Sequence, residues 1–323
     1  MNVVDTDYRF YPADNKADDF YREVVNGLSR FPRRIPPKYF YDEKGAALFE
    51  SICEQPEYYP TATEFAILRE YADEIAAHTG TGQVLIEPGC GSCEKVRTLL
   101  DAVRPLAYVP VDISCEQLQS AASEIAEDYA WLDVHAVCTD ITGTLELPGI
   151  FGKEDRLVFY PGSSIGNFEP EDAVRFLAGL AQTAGAGGRL LIGIDLEKDH
   201  QILNAAYNDA NGVTAEFNLN LLQRINRELD ANFDIDAFDH HAFYNSVAGR
   251  IEMHLISTRR QTVDIDGHSF EFSAGDSIHT ENSYKYSIES FTTLAADAGY
   301  KTVDCWTDPG HLFGLYLLEV TTA

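Results

Sequence analysis

Basic residues are scarce: 24 Lys and Arg stand against 52 Asp and Glu in 323 residues, a formal charge of −28. A field of that sign repels phosphate backbones and anionic lipid headgroups, which sets aside nucleic acid and membrane surfaces as general partners. Long hydrophobic runs are also missing. No stretch approaches the roughly 18 consecutive apolar residues of a membrane span. The opening Met1-Asn2-Val3-Val4-Asp5-Thr6-Asp7 lacks the basic and apolar regions of a signal peptide, so the expected location is cytoplasmic. Six cysteines are too few for a disulfide scaffold, and in the cytosol they are expected to stay reduced. Cys90 and Cys93 form a C-x-x-C, but no second Cys pair or His pair follows at zinc spacing. No metal is expected, and both cysteines read as small residues of a tight turn. Internal repeats and low-complexity tracts are absent.

What is present is an ordinary globular composition, 45% hydrophobic and 24% charged, with 13 Pro and 23 Gly scattered along the chain. The length suits one large or two intergrown domains. Short β-like runs at 83–87, 107–111, 134–138, 156–160 and 189–194 alternate with helical patterns at 94–103, 116–129 and 171–184. That rhythm predicts an α/β fold with a doubly wound parallel sheet. A helix at 288–298 and strands at 302–306 and 312–320 extend it. The intervening part breaks the rhythm. A helix at 216–229 puts Phe217, Leu221, Leu222, Ile225 and Leu229 on one face, and strands follow at 250–259 and 262–272, with Asp266-Gly267 as a turn. The expected division is a ligand-binding domain of residues 61–196 plus 287–323 and a discontinuous α+β lobe of residues 1–60 plus 197–286.

Glu87-Pro88-Gly89-Cys90-Gly91-Ser92-Cys93-Glu94-Lys95 follows the first of these strands and opens the first of these helices. Gly89 and Gly91 allow a sharp turn and close approach of backbone to a ligand. This is only half a dinucleotide fingerprint, because the third glycine position holds Glu94, whose charge opposes a pyrophosphate. Glu87 at the strand end suits a cationic or amino-bearing ligand instead. The next strand ends in Asp112, about 21 residues beyond Gly91, where such folds hold ribose hydroxyls. The third ends in Cys138-Thr139-Asp140. Two acids at successive strand ends fit S-adenosylmethionine, whose ribose and adenine amine are donors and which carries no phosphate.

On these and further motifs the chain resembles the ergothioneine-pathway histidine N-alpha-methyltransferases over nearly its whole length. The matching stretches are Tyr39 to Asp42, Pro56 to Thr61, Ser92 to Lys95, Gly162 to Asn167, Asp209 to Phe217, Arg250 to Met253 and Trp306 to Pro309. The resemblance implies a Rossmann-like methyl-donor domain, a family-specific lobe and a substrate between them. It puts Tyr41, Gly89, Lys95, Asp112, Asp140 and Ile141 at S-adenosylmethionine. It puts Tyr58, Gly162, Asn167 and Tyr207 around the amino acid backbone, with Tyr58 and Asn167 in the catalytic roles. Met253, Glu281 and Ser283 complete the substrate site, the last two at the imidazole. The substrate is then L-histidine, the co-substrate S-adenosylmethionine, and the protein a monomer rather than an obligate oligomer. Another amino acid, tyrosine or tryptophan, is the alternative substrate.

Each role has an ordinary competitor. Asn167 stands near a helix start at Glu169-Pro170-Glu171, where it would serve as a cap; as a ligand its amide donates to a carboxylate and accepts from an amine. Tyr58 lies in a Pro-flanked loop, where rings usually pack, but a ring can also face a growing ammonium. Tyr207 reads as core without the resemblance. Glu281, in an acid-rich chain, reads as a solvated charge; opposite an imidazole, its carboxylate and the Ser283 hydroxyl would select histidine. His240 and His241 fall at no motif spacing and read as surface or structural residues.

Overall fold

Val84–Pro88 is buried at every position, as befits a strand covered on both faces, and it lies at the middle of the larger sheet. The computed structural model describes residues 4–5, 8–12, 17–142, 145 and 155–321. Val84–Pro88 pairs in parallel with Ala107–Asp112 on one side and Arg156–Tyr160 on the other. Strand order therefore reverses here, and open α/β sheets bind ligands at the carboxyl ends beside such a reversal. The full order is Val4–Asp5, Arg9–Tyr11, Asp133–Cys138, Ala107–Asp112, Val84–Pro88, Arg156–Tyr160, Arg189–Asp195, Phe313–Val320 and Tyr300–Thr307. Phe313–Val320 runs antiparallel to both of its neighbours. The covering helices are amphipathic: Glu94–Val103 buries Val96, Leu99, Leu100 and Val103, and Pro170–Ala184 buries Ala173, Phe176, Leu177 and Leu180. The fold is thus the expected doubly wound α/β sheet.

The smaller sheet runs Arg33–Arg34, Ser277–Tyr284, Arg250–Ser257, Phe238–Asn245, and the hairpin Gln261–Ile265 with His268–Phe272 stands apart from it. Asp266 and Gly267 both take positive φ, +42° and +84°, as a tight hairpin turn requires. Helices Ala17–Leu28, Glu43–Cys53 and Val213–Glu228 accompany this sheet, and their apolar residues share a core with Phe238, Met253, Leu255, Phe270 and Phe272.

The chain divides into two units, Met1–Asp14 with Pro60–Glu197 and Lys285–Ala323, and Asn15–Tyr59 with Lys198–Tyr284. The expected boundary is corrected at its start. Arg9–Tyr11 pairs in parallel with Asp133–Cys138, so it belongs to the larger sheet rather than to the lobe of residues 1–60. A run of three residues carries too little pattern to announce that pairing. A second correction concerns cysteine. Cys115 and Cys138 are joined as a disulfide, with Cα atoms 5.3 Å apart, against the expectation that all six stay reduced. The pairing of Asp112 with Cys138 brings the start of the next helix beside the neighbouring strand end. Cys90 and Cys93 are buried in their turn, closed by the Cys93 N–H donating to the Cys90 carbonyl at 3.0 Å. Among the described residues no helix is long and apolar enough to cross a membrane.

Candidate active site

In the larger unit the Gly89–Cys93 turn is built by backbone: Gly89 and Gly91 have φ of +71° and +54°, and the Gly89 and Cys90 N–H groups both donate to the Val111 carbonyl. Asp112 ties this turn to the next. Its Oδ2 accepts from the Gly91 N–H at 3.0 Å and its Oδ1 from the Ser114 N–H at 2.9 Å. The Ile113 N–H and the Ser114 hydroxyl donate to the same carboxylate. Burial raises the Asp112 carboxyl above its ordinary value, and the N–H donors offset this only in part. A Cβ on Gly89 would sit 3.4 Å from Ile141 Cδ1, so Gly89 and Ile141 come together. Asp140 accepts from the Thr142 N–H and hydroxyl at 2.8 and 2.6 Å.

Glu87 corrects its expected role. It is fully buried, accepts from the Tyr108 hydroxyl, and is pushed up to about 8 by burial, so at neutral pH it is largely protonated rather than an anion facing a cation. Glu94 points outward and pairs with Arg97.

Lys95 reaches a carboxylate that the sequence reading passed over. Its Nζ lies 2.7 Å from Glu64 Oε2, and Glu64 is wholly buried. Both Glu64 oxygens also accept from the Gly162 N–H, at 3.0 and 2.9 Å. A Cβ on Gly162 would stand 3.2 Å from Lys95 Nζ. Glu64 thus fixes Lys95 and the Gly162 turn together. The one sequence signal was Gly193 inside an apolar strand, where a Cβ would fall 2.0 Å from Glu64 Oε1. Asn167 ends the short turn Ser164–Asn167, half-buried, while Glu169 occupies the cap position of the next helix. Capping therefore does not account for Asn167.

In the smaller unit Tyr207, Ser283, Tyr58 and Glu281 converge. The buried Tyr207 hydroxyl donates to Ser283 Oγ at 2.8 Å. The Tyr58 ring meets Tyr207 edge-on at 6.2 Å and Phe49 at 6.3 Å. Tyr41 packs edge-on against Phe49 and Phe217. Burial pushes the Tyr58 hydroxyl well above its usual value, helped by Tyr207, Cys53, Tyr41 and Glu281, so Tyr58 keeps its proton.

A bulge aims Glu281. Met253 pairs with Glu281 and His254 with His279, leaving Thr280 as the extra residue. Side chains two apart on a regular strand share a face. Here Glu281 instead joins Met253 and Ser283 on the inner face, and His279 joins His254 on the other. The Thr280 hydroxyl holds the bulge by donating to Asn218 Oδ1 at 2.8 Å and sharing the Met253 carbonyl at 3.1 Å. His240 is structural, bonded to the Tyr207 carbonyl and the Asn218 amide.

Comparison with known proteins identifies the family. Residues 20–320 match the family model described as histidine-specific methyltransferase, SAM-dependent. A histidine N-alpha-methyltransferase of Mycolicibacterium smegmatis is 43% identical over 95% of this chain and 97% of its own. The Mycobacterium tuberculosis protein of the same name is 42% identical over 92% and 93%. Ergothioneine biosynthesis protein 1 of Neurospora crassa is 33% identical over 89% of this chain, which corresponds to 33% of that longer protein. The chain belongs to the family of S-adenosylmethionine-dependent, histidine-specific methyltransferases.

Proposed function

We propose that the protein transfers three methyl groups in succession from S-adenosylmethionine to the α-amine of L-histidine, giving its trimethyl betaine, hercynine, the precursor of ergothioneine. The observation that carries this reading is the bond between Tyr207 and Ser283 with Glu281 one position along the same inner face. A carboxylate and a hydroxyl so placed suit the two ring nitrogens of an imidazole, and a leucine or phenylalanine side chain offers neither of them a hydrogen bond.

On this reading Asp112 holds the donor's ribose, Gly89 and Ile141 lie against its backbone-facing edge, and Asp140 takes the adenine amine. Tyr41 and Lys95 complete the donor contacts. Gly162, Asn167, Tyr58 and Tyr207 receive the amino acid backbone. In each transfer the neutral amine's lone pair attacks the sulfonium methyl, the carbon–sulfur bond breaks, and sulfur keeps its electron pair as the thioether of S-adenosylhomocysteine. Alignment supplies most of the gain. Three transfers starting from the ammonium release three protons, and Tyr58, held protonated, is not their acceptor. Those protons leave to water. The sequence of transfers stops because the quaternary nitrogen has no lone pair.

The test is mass spectrometry of the purified protein with S-adenosylmethionine and single amino acids. Histidine should gain three methyl masses; gain on tyrosine or tryptophan without histidine would overturn the proposal. Glu281→Asn should raise the KM for histidine about tenfold or more, the scale of a lost charge-assisted hydrogen bond, while leaving donor binding unchanged.

A further inference from the structure

The outer face of the smaller sheet carries a cluster that the methyl-transfer reading does not use. Glu252 and His254 sit two apart on Arg250–Ser257, and His279 stands opposite His254 on Ser277–Tyr284. His241 pairs with His254 on the other side, so three histidines form a row across three adjacent strands. The His254 and His279 rings stack at 4.6 Å, and the His254 ring lies parallel to Phe243 at 5.7 Å. One ligand atom each from Glu252, His254 and His279 lie within 4.8 Å of one another. Met253 and Leu255 face the core, so these side chains face away from it.

We propose that Glu252, His254 and His279 bind a divalent transition-metal ion, Zn²⁺ being the ion that two imidazoles and one carboxylate suit best, with water completing the shell. This departs from the expectation of no metal, which rested on the spacing of cysteines and histidines along the sequence. The site arises only when two strands pair through a bulge, since Thr280 is what brings His279 to the His254 face.

The surroundings support the assignment. Glu252 Oε1 accepts from Asn245 and Arg250, at 3.0 and 2.8 Å, which fixes the carboxylate and leaves Oε2 turned to His254 Nε2 at 3.0 Å. Outer partners that orient a ligand in this way are the usual companions of a metal site. His279 Nε2 bonds the Glu281 carbonyl at 3.0 Å, which orients that ring as well.

The test uses the full-length protein freed of metal by chelator. Calorimetric titration with Zn²⁺ should show one equivalent bound, and His254→Gln and His279→Gln should each weaken it by about tenfold or more. Ring ¹⁵N resonances of the unaltered protein give a readout independent of variant folding. Those of His254 and His279 should move on Zn²⁺ addition. Absence of stoichiometric binding, equal binding by both variants, or ring shifts confined to other histidines would each overturn the proposal. A methyltransferase assay is not part of the decision, so failure here leaves the reaction untouched, and the reverse holds.

Discussion

At the scale of single residues, chemistry was legible where position along a strand determined it. Gly89, Asp112 and Asp140 could be proposed as donor contacts because carboxyl ends of parallel strands form the ligand edge, whatever the rest of the chain does. Glu64 could not be found in that way: its one trace is Gly193 in an apolar strand, and one acid among 52 is not singled out until folding places it against Lys95 and the Gly162 N–H. Glu87 was found but misjudged, since sequence gives position along the chain and not burial. Its burial makes a measurable prediction. The folded pKa is about 8 against an ordinary carboxyl near 4.5, so between those values the native state holds a proton that the unfolded chain has released. Stability should therefore fall as pH rises through this window, by on the order of a few kcal/mol, with the loss complete above about 8. Thermal midpoints from pH 5 to 9 should show the slope in the unaltered protein and a flatter profile in Glu87→Gln. Equal slopes would place the titrating group elsewhere.

At the scale of elements, the Rossmann-like half was readable because its strands are short, apolar and separated by amphipathic helices. Predicted and observed limits there differ by a residue or two, as at 116–129 against Cys115–Asp128. The smaller unit was harder. Its hairpin at Asp266-Gly267 announced itself through turn chemistry, but the bulge at Thr280 depends on the partner strand and has no local signature. That bulge directs Glu281 inward, so the residue on which the proposed substrate choice rests owes its orientation to a neighbour of no evident interest. Thr280→Val keeps the shape and deletes the hydroxyl, leaving the buried Asn218 Oδ1 without this donor. A buried acceptor stripped of its partner costs about 1–3 kcal/mol. We expect a lower midpoint in thermal denaturation, and a histidine KM raised more than the S-adenosylmethionine KM. Equal changes in the two KM values would show that the bulge serves stability alone.

For the whole molecule, the order of segments was the harder matter. The chain leaves the larger unit and returns to it, and only the pairing of Arg9–Tyr11 with Asp133–Cys138 shows that the larger unit also claims the start of the described chain. The charge of −28 first served to exclude polyanionic partners, and at this scale it acts on stability. Folding concentrates like charges, and two acids for each base mean that many carboxylates lack an opposite charge even when every basic side chain is paired. Their repulsion is long-ranged in dilute buffer, where the screening length is about 30 Å at 0.01 M, and short-ranged at about 8 Å in 0.15 M salt. Local ion pairs such as the buried Lys285–Asp195, at 2.7 Å, are screened far less by the same salt. Sodium chloride raised from 0.01 to 0.15 M should therefore stabilise the protein by about 1 kcal/mol, a rise of about 1–2 °C in thermal midpoint for a chain of this length. A fall in midpoint would mean that exposed ion pairs outweigh the net repulsion.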